Sequence, residues 1–485
     1  MNSKILKIIL FAPALFAGSC AVGPDFEYPR LEGVADSFEQ IETPDVSGEA
    51  SETFDESEIA EWWRMFNDPE LDSLIERAFQ KNYDIRSALS KIEEARAKLG
   101  MSESGLLPVL GVDADLTEWG SGASSSVLRY GAGAAASWEI DVFGGTRRLV
   151  ESSGADFLSA LFSGYAVKLE VAAEVAKAYF SYRANCELLE ITEDNLAAQA
   201  ESFKITEELV KGSLGSELDM VRAGAQLQTT QSEIPAIRKS IDSARYALEL
   251  LLGLNVGELK GELEENKKLP EFEKIAPKSV PASLLKRRPD IIAAAYKIKS
   301  ANANIGAAYA DYLPRFYISG QISYTAPTSA NLFDKNFGSW SLGPTVSWNL
   351  FNGGKTYYNV KYQKALTKTA GISWEKTAMS AIKEAQDNIL SCAKIREQIG
   401  LLKGACESDE QAYRLSKELY ESGSLRFLDL LEAQRTMLIA QQSLVRARFS
   451  LMESAINLYK SLGGGWNSTE ISGDESPRTS QILLK

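Results

Sequence analysis

The 485-residue sequence contains no histidine, only four cysteines and only seven methionines. Without histidine there is no Ser-His or Cys-His catalysis, no imidazole metal site and no histidine pH switch. The cysteines, Cys20, Cys186, Cys392 and Cys406, are widely spaced and form no CxxC. The last three fall in predicted helices, where a small core or interface residue is the expected role and a disulfide the alternative. The shortage of thioether and imidazole also weighs against a dedicated relay for soft metals. Basic residues are outnumbered 52 to 66, for a net charge of −14, so the stripes that bind nucleic acid are missing. After the N-terminus no run of about 18 apolar residues occurs, so the mature chain is expected to have no spanning helix. With no nucleophile and base in evidence, the reading is of a protein that is not an enzyme, with no cofactor and no metal.

What is present begins with "MNSKILKIILFAPALFAGSC". Lys4 and Lys7 precede an apolar stretch, and Ala17, Gly18 and Ser19 precede Cys20, the layout of an export signal over residues 1–19. A cysteine just after the small residues resembles a bacterial lipoprotein signal, in which Cys20 becomes the acylated first residue. Ala17 stands where leucine is usual, so cleavage without a lipid is the other reading.

The chain is duplicated. Asp84 and Asp290 lie 290 − 84 = 206 residues apart, as do Pro108 and Pro314. Farther on the offset is 210, at Trp138 and Trp348, Glu174 and Glu384, Asp219 and Asp429, and Gly253 and Gly463. Two registers of one repeat are therefore separated by a short insertion.

Each repeat turns helix into strand at a Leu-Pro step, Leu107-Pro108 and Leu313-Pro314. Proline lacks the amide donor and disfavours the helical conformation of the residue before it. Period-two alternation follows, with Leu110, Val112, Ala114 and Leu116 opposite Gly111, Asp113, Asp115 and Thr117, and with Phe316, Ile318, Gly320, Ile322 and Tyr324 opposite Tyr317, Ser319, Gln321 and Ser323. The same pattern recurs downstream in "RYGAGAAASWEIDVFGG" and "SWSLGPTVSWNLFNGG". Strands are thus expected at about 109–118, 130–142, 315–325 and 340–350, each about as long as a tilted membrane strand. Long helical patterns then run from Gly145 and Gly354, turn at Gly-Ser sequences and return as helices, giving hairpins over 145–253 and 354–462. At about 1.5 Å per residue, the first limb of each would reach roughly 100 Å.

Four strands cannot close a barrel, whose small members need about eight, and an open edge in lipid leaves backbone groups unpaired. A chain that enters a membrane this way must pool strands with copies of itself. Three copies would supply twelve strands and set the helical hairpins side by side as a tube.

In order along the chain, "CAVGPDFEYP", "WWRMFNDPELDSLIERAFQKNYDIRSA", "SWEIDVFGG", "LLKRRPDIIAAAYKIKSANANIGAAYADYLPRF", "NLFNGGK", "DLLEAQRTML" and "LYKSLGGGW" resemble the TolC-type outer-membrane factors, and more narrowly their lipoprotein branch that partners RND pumps. The resemblance implies an α+β membrane protein with an internal two-fold repeat. It implies a homotrimeric outer-membrane β-barrel, four strands per protomer, continuing into a long periplasmic α-helical barrel. The implied organisation is a lipidated segment at 20–66, a first repeat at 67–253, a linker at 254–280, a second repeat at 281–466 and a tail at 467–485. The implied function is a passive exit duct for small molecules in a tripartite efflux system. It would sit among outer-membrane lipids, lipid-anchored at Cys20, and dock to a periplasmic adaptor (membrane fusion protein) and an inner-membrane RND-type pump. A periplasmic structural coiled-coil lipoprotein without a pore is the alternative.

The resemblance also implies a periplasmic gate in the last hairpin, "YESGSLRFLDLLEAQ". Asp429 and Glu432 follow Gly423 at the family's acidic spacing, and Tyr420 matches as well. The family's arginine is expected two residues after that glycine, where Leu425 stands; Arg426 comes one place later. Three copies of Asp429 and Glu432 around one axis would repel, and a closed state must offset that repulsion. On periodicity alone the same carboxylates read as a solvated helix face. Ser213, Leu214, Gly215 and Ser216 in the first turn, with Ser424 and Leu425 in the second, are candidates for the adaptor contact, although any helical hairpin needs such turns. Asp113, Asp115, Glu139 and Asp141 could make the duct wall acidic, with capping of the following helix as the other reading for Asp141. "RRPD" at 287–290 reads as a helix start.

Overall fold

A computed structural model describes residues 21–30, 59–120, 122, 126–263, 268–272 and 287–466. Cys20, the segment 31–58 and the tail after Trp466 lie outside the described residues. The helices are α1 (Pro69–Lys81), α2 (Tyr83–Ser104), α3 (Gly145–Lys211), α4 (Glu217–Leu251), α5 (Pro289–Ala310), α6 (Lys355–Glu421) and α7 (Phe427–Ser461). The strands are β1 (Val109–Trp119), β2 (Val127–Ile140), β3 (Arg315–Ala326) and β4 (Gly338–Ser347). No described helix is long and apolar enough to cross a membrane. The chain divides into two compact units, one of Met1–Leu31, Ser90–Phe162 and Ile292–Thr377, the other of Glu32–Leu89, Ser163–Ile291 and Ala378–Lys485.

The first unit holds an antiparallel sheet in the order β1-β2-β3-β4. Its central pairing, β2 with β3, joins the two repeats, with Ala134 opposite Ile322. The registers Val112 to Ala134, Ala134 to Ile322 and Ile322 to Trp340 carry one apolar face across all four strands. The other face is small and polar, with Asp113 opposite Gly133 and Asp115 opposite Gly131. A side chain at Gly131 would collide with the Asp115 carboxylate, so glycine there makes room for the acid. Among the described residues, the outer margins of β1 and β4 have no partner strand.

The helices stop short of the prolines. α2 ends at Ser104 and α5 at Ala310, each four residues before its proline, and the chain tightens through Leu106 N–H to Glu103 O and Leu313 N–H to Ala310 O, both 3.0 Å. Each junction is then braced by the matched tryptophan. The Trp138 indole donates to Leu106 O at 2.9 Å and the Trp348 indole to Tyr312 O at 3.0 Å. Donor and acceptor obey the two offsets, since 348 − 138 = 210 and 312 − 106 = 206.

Two strands end before the expected positions 142 and 350. β2 stops at Ile140 because Asp141 turns to accept from the backbone N–H of Arg147 at 2.8 Å, in the first turn of α3. Asp141 is a helix cap rather than part of the polar strand wall. β4 stops at Ser347, next to the tryptophan brace. The return crossings use left-handed glycines, Gly144 at φ 78° and Gly353 and Gly354 at 67° and 87°.

The second unit is a helical bundle with one large core. Trp62 is completely buried and stacks on Tyr459 with ring centroids 6.3 Å apart, while Phe66 meets Phe180 at 4.8 Å and Phe272 at 5.1 Å. Small residues such as Ala172, Ala173 and Ala176 are wholly buried, which lets backbones approach closely. A buried polar group ties the core to the connection between the repeats. Arg183 pairs with Asp68 and donates to Lys268 O, and the Tyr179 hydroxyl donates to Glu70 at 2.7 Å while lying 2.9 Å from Asp68. Such a pair stabilises only while both members are present. Cys392 and Cys406 are buried free thiols, and burial pushes Cys392 up to about 11.

α4 and α7 end alike. Gly253 (φ 63°) and Gly463 (φ 73°) occupy the left-handed position, and the following amides bond five residues back, Leu254 to Glu249 O at 2.8 Å and Gly464 to Tyr459 O at 3.1 Å. Each helix end also takes a side-chain donor from the matched position. Asn82 Nδ2 reaches Leu251 O at 2.8 Å and Arg288 Nη1 reaches Ser461 O at 3.3 Å. Arg288 further binds Asp290 at 2.8 Å and Glu384 at 2.9 Å, so "RRPD" is an ion-paired helix start.

Candidate gate and hairpin tips

Both tips are helix ends closed by the same hydrogen bonds. Leu214 N–H bonds Leu209 O and Ser424 N–H bonds Leu419 O, each at 2.8 Å. The left-handed position is Gly423 (φ 74°) in the second tip but Ser213 (φ 60°) in the first. An L side chain is strained there, by about 1–2 kcal/mol. Ser213, Leu214, Gly215, Ser216 and Ser424 are exposed, and Leu425 is half-buried.

Within the helical unit, the hairpin tips carry a small apolar cluster of Ala223, Phe427 and Leu430, against which Phe203, Tyr413, Tyr420 and Leu431 pack. Tyr420 packs at a tilt against Phe427, ring centroids 5.6 Å apart, and its hydroxyl lies 3.4 Å from that of Thr206. Tyr420 thus fastens the second hairpin to α3. Deeper in, Gln434 donates to Ser202 Oγ at 3.0 Å.

The acids beyond the tip are paired along their own helix. Arg426 forks onto Asp429, Nε at 3.1 Å and Nη2 at 3.0 Å, and Arg435 meets Glu432 at 2.9 Å. The arginine one place beyond the family position is thus the one that meets Asp429. Both guanidiniums are exposed and held above their ordinary pKa, first by hydrogen bonding to the carboxylate and then by its charge. Exposed ion pairs are weak and screened by salt, so each acid can exchange its arginine for water at little cost. The first hairpin differs here, since Asp219 matches Asp429 but Arg222 stands where Glu432 would be, 3.8 Å from Asp219.

Three features were not read from the sequence. The tryptophan braces could have been found, because indoles are donors that need an acceptor when packed. The Arg435 partner lies at ordinary helical spacing from Glu432. The third, Arg148, is hidden as the second arginine of "GTRRL". Its guanidinium is buried, binds Asp25 at 2.8 Å and Glu151 at 2.7 Å, and donates to Val22 O at 3.2 Å.

The outer membrane efflux protein family model matches residues 74–254 and 280–464. Among curated relatives, the probable efflux pump outer membrane protein TtgC of Pseudomonas putida is 28% identical over 482 residues, 96% of each chain. The probable outer membrane lipoprotein SilC of Salmonella typhimurium is 29% identical over 412 residues, covering 84% of this chain and 88% of SilC. Among solved structures, the outer-membrane channel OprN superposes with a TM-score of 0.82 at 31% identity, covering 92% of this chain and all of that one. With the four-stranded sheet, the paired long hairpins and the repeated junctions, these matches establish that the chain belongs to the outer membrane efflux protein family, as a TolC-like efflux channel of the outer membrane.

Proposed function

We propose that three copies of this chain close a twelve-stranded barrel and form the passive exit duct of a tripartite efflux system, docked to a periplasmic adaptor and an RND-type inner-membrane pump. The observation that carries this reading is the sheet itself. It has an apolar face, a polar face and two open margins, and such margins cannot stay unpaired in hydrocarbon. α4 supports it, because Leu218, Val221 and Tyr246 leave an exposed apolar surface on a helix that a neighbouring copy would cover.

In this reading Cys20 carries the lipid anchor, in keeping with a relative named as an outer membrane lipoprotein. The exposed tips Ser213, Leu214, Gly215, Ser216, Ser424 and Leu425 meet the adaptor. Tyr420 holds the second hairpin shut, while Asp429 and Glu432 line the narrow end. Arg426 and Arg435 offset their repulsion in the closed state, and opening separates the three sets of acids. The duct does no chemistry of its own. The sequence selects no cargo, since a passive duct need not bind its load.

The test is reconstitution of purified protein into planar bilayers. Discrete trimer-sized channels that widen when Asp429 and Glu432 are both changed to alanine would agree with the proposal. A stable trimer that conducts nothing in either form would end it.

A further inference from the structure

The residues that follow Cys20 are clamped within the strand-bearing unit. Val22 N–H donates to Phe143 O at 3.1 Å, Arg148 Nε donates to Val22 O at 3.2 Å, and Asn302 Nδ2 donates to Pro24 O at 3.0 Å. The backbones also touch. Gly23 (φ 104°) lies against Gly306 of α5, where a Cβ on Gly306 would meet Val22 O at 2.7 Å and Arg148 Cγ at 2.9 Å. A Cβ on Gly144 would stand 2.6 Å from Ala21 Cβ. Two glycines and a buried arginine thus hold the arm from Ala21 onward, more constraint than a flexible tether to a membrane requires.

Beside the arm is an open, mainly apolar groove of about 600 Å³, lined by Val22, Gly23, Pro24, Tyr309, Tyr312, Leu313 and Lys364. Its volume falls in the usual range for ligand pockets, about 300–1,000 Å³. One wall is the clamped arm itself, and the other is the last turn of α5 with the residues leading into the Leu-Pro step. Lys364 lines the groove as well, with its ammonium 5.4 Å from the Tyr309 ring centroid. The lining therefore suits an apolar chain.

We propose that an acyl chain on Cys20 lies in this groove, so that the anchor is seated against its own protomer rather than tethered loosely in the bilayer. The proposal rests on the lipidation assigned to Cys20 above. Cys20 is one peptide bond from Ala21, the first residue of the clamped arm, and the groove wall begins at Val22. The described arm thus begins one residue before the groove wall. Arg148 is a positioning residue here, since it touches the arm and not the lipid.

The full-length protein would be produced in cells fed a diazirine-bearing palmitate analogue, irradiated in isolated outer membranes, purified and digested. Mass spectrometry should find adducts that link the acylated N-terminal peptide to peptides containing Tyr309–Leu313 or Lys364. In Arg148→Ala the same adducts should fall several-fold while acylation of Cys20 is unchanged. An acylated N-terminus whose adducts are confined to phospholipids, or groove peptides that carry phospholipid adducts instead, would overturn the proposal and leave the anchor standing. An N-terminal peptide without acyl mass would overturn both. Undiminished groove adducts in Arg148→Ala would overturn the role given to the clamp.

Discussion

The two return helices, α4 and α7, are equal in length and end in the same hydrogen-bonded turn, yet they are packed very differently. Of 35 residues in each, the buried ones number 18 in α7, including Val445, Leu451, Ile456 and Tyr459, and five in α4. α4 also carries Pro235 inside the helix, where the matched residue of α7 is the buried Val445. Duplication preserved the caps and turns while the surroundings diverged. Shared local chemistry therefore locates the two helices, and unlike neighbours give them different work. α7 supplies much of the core and the candidate gate, and α4 leaves most of its length exposed, Leu218, Val221, Tyr246 and Leu250 included.

The largest effect should come from setting the acids of one hairpin against those of the other. Asp429→Ala with Glu432→Ala should raise single-channel conductance several-fold, whereas Asp219→Ala in the first hairpin should leave it near the wild-type value. Equal effects from both hairpins would erase the distinction drawn here. Next come the matched donors at the helix ends. Arg288→Ala leaves Asp290, Glu384 and Ser461 O without a buried cation and should cost about 3 kcal/mol, while Asn82→Ala should cost about 1 kcal/mol, read by chemical denaturation in detergent. Partial loss of solvent, then the charges of Glu170 and Asp84, raise the Glu174 carboxyl in the first repeat, where no arginine matches Arg288.

A smaller, pH-dependent effect distinguishes the return helices again. Burial raises the Glu453 carboxyl of α7, with Lys177 pulling the other way, and the matched residue of α4 is Ser243. A carboxyl whose folded pKa is raised binds its proton more tightly when folded, so its stability term is fully present below the unfolded pKa and is lost as pH rises through the folded value. Glu453→Gln should therefore raise the melting temperature at pH 8 and change it little below the ordinary carboxylate range. A gain that grew on acidification would contradict this. The smallest change concerns the left-handed turn. Ser213→Gly should stabilise the first tip by about 0.5–1 kcal/mol and Gly423→Ser should weaken the second by a similar amount, visible as altered amide exchange near each turn.

The fold was legible wherever a local rule acts on the backbone. Proline at 108 and 314, glycine at 144, 253, 353 and 463, and two-residue alternation locate the breaks and strands, and the constant offsets tie them into a repeat. Legibility fell where side chains choose partners far along the chain. Nothing periodic in the sequence announces that β2 pairs with β3, that Trp138 and Trp348 brace the carbonyls of Leu106 and Tyr312, or that Arg148 holds Val22 and Asp25. Strand ends at Ile140 and Ser347 were overrun because alternation persists into residues whose side chains are taken by a cap or a brace. At the candidate gate, the family resemblance pointed to Asp429 and Glu432, while nothing in the sequence showed how Arg426 reaches Asp429 over one helical turn.

The unpartnered margins of β1 and β4 have a genetic corollary. If three chains must lend each other their edges, a defective allele that still pairs would spoil rings it shares with sound products. Equal expression of both would leave only about one ring in eight wholly sound, and the defect would be inherited as dominant over the intact gene.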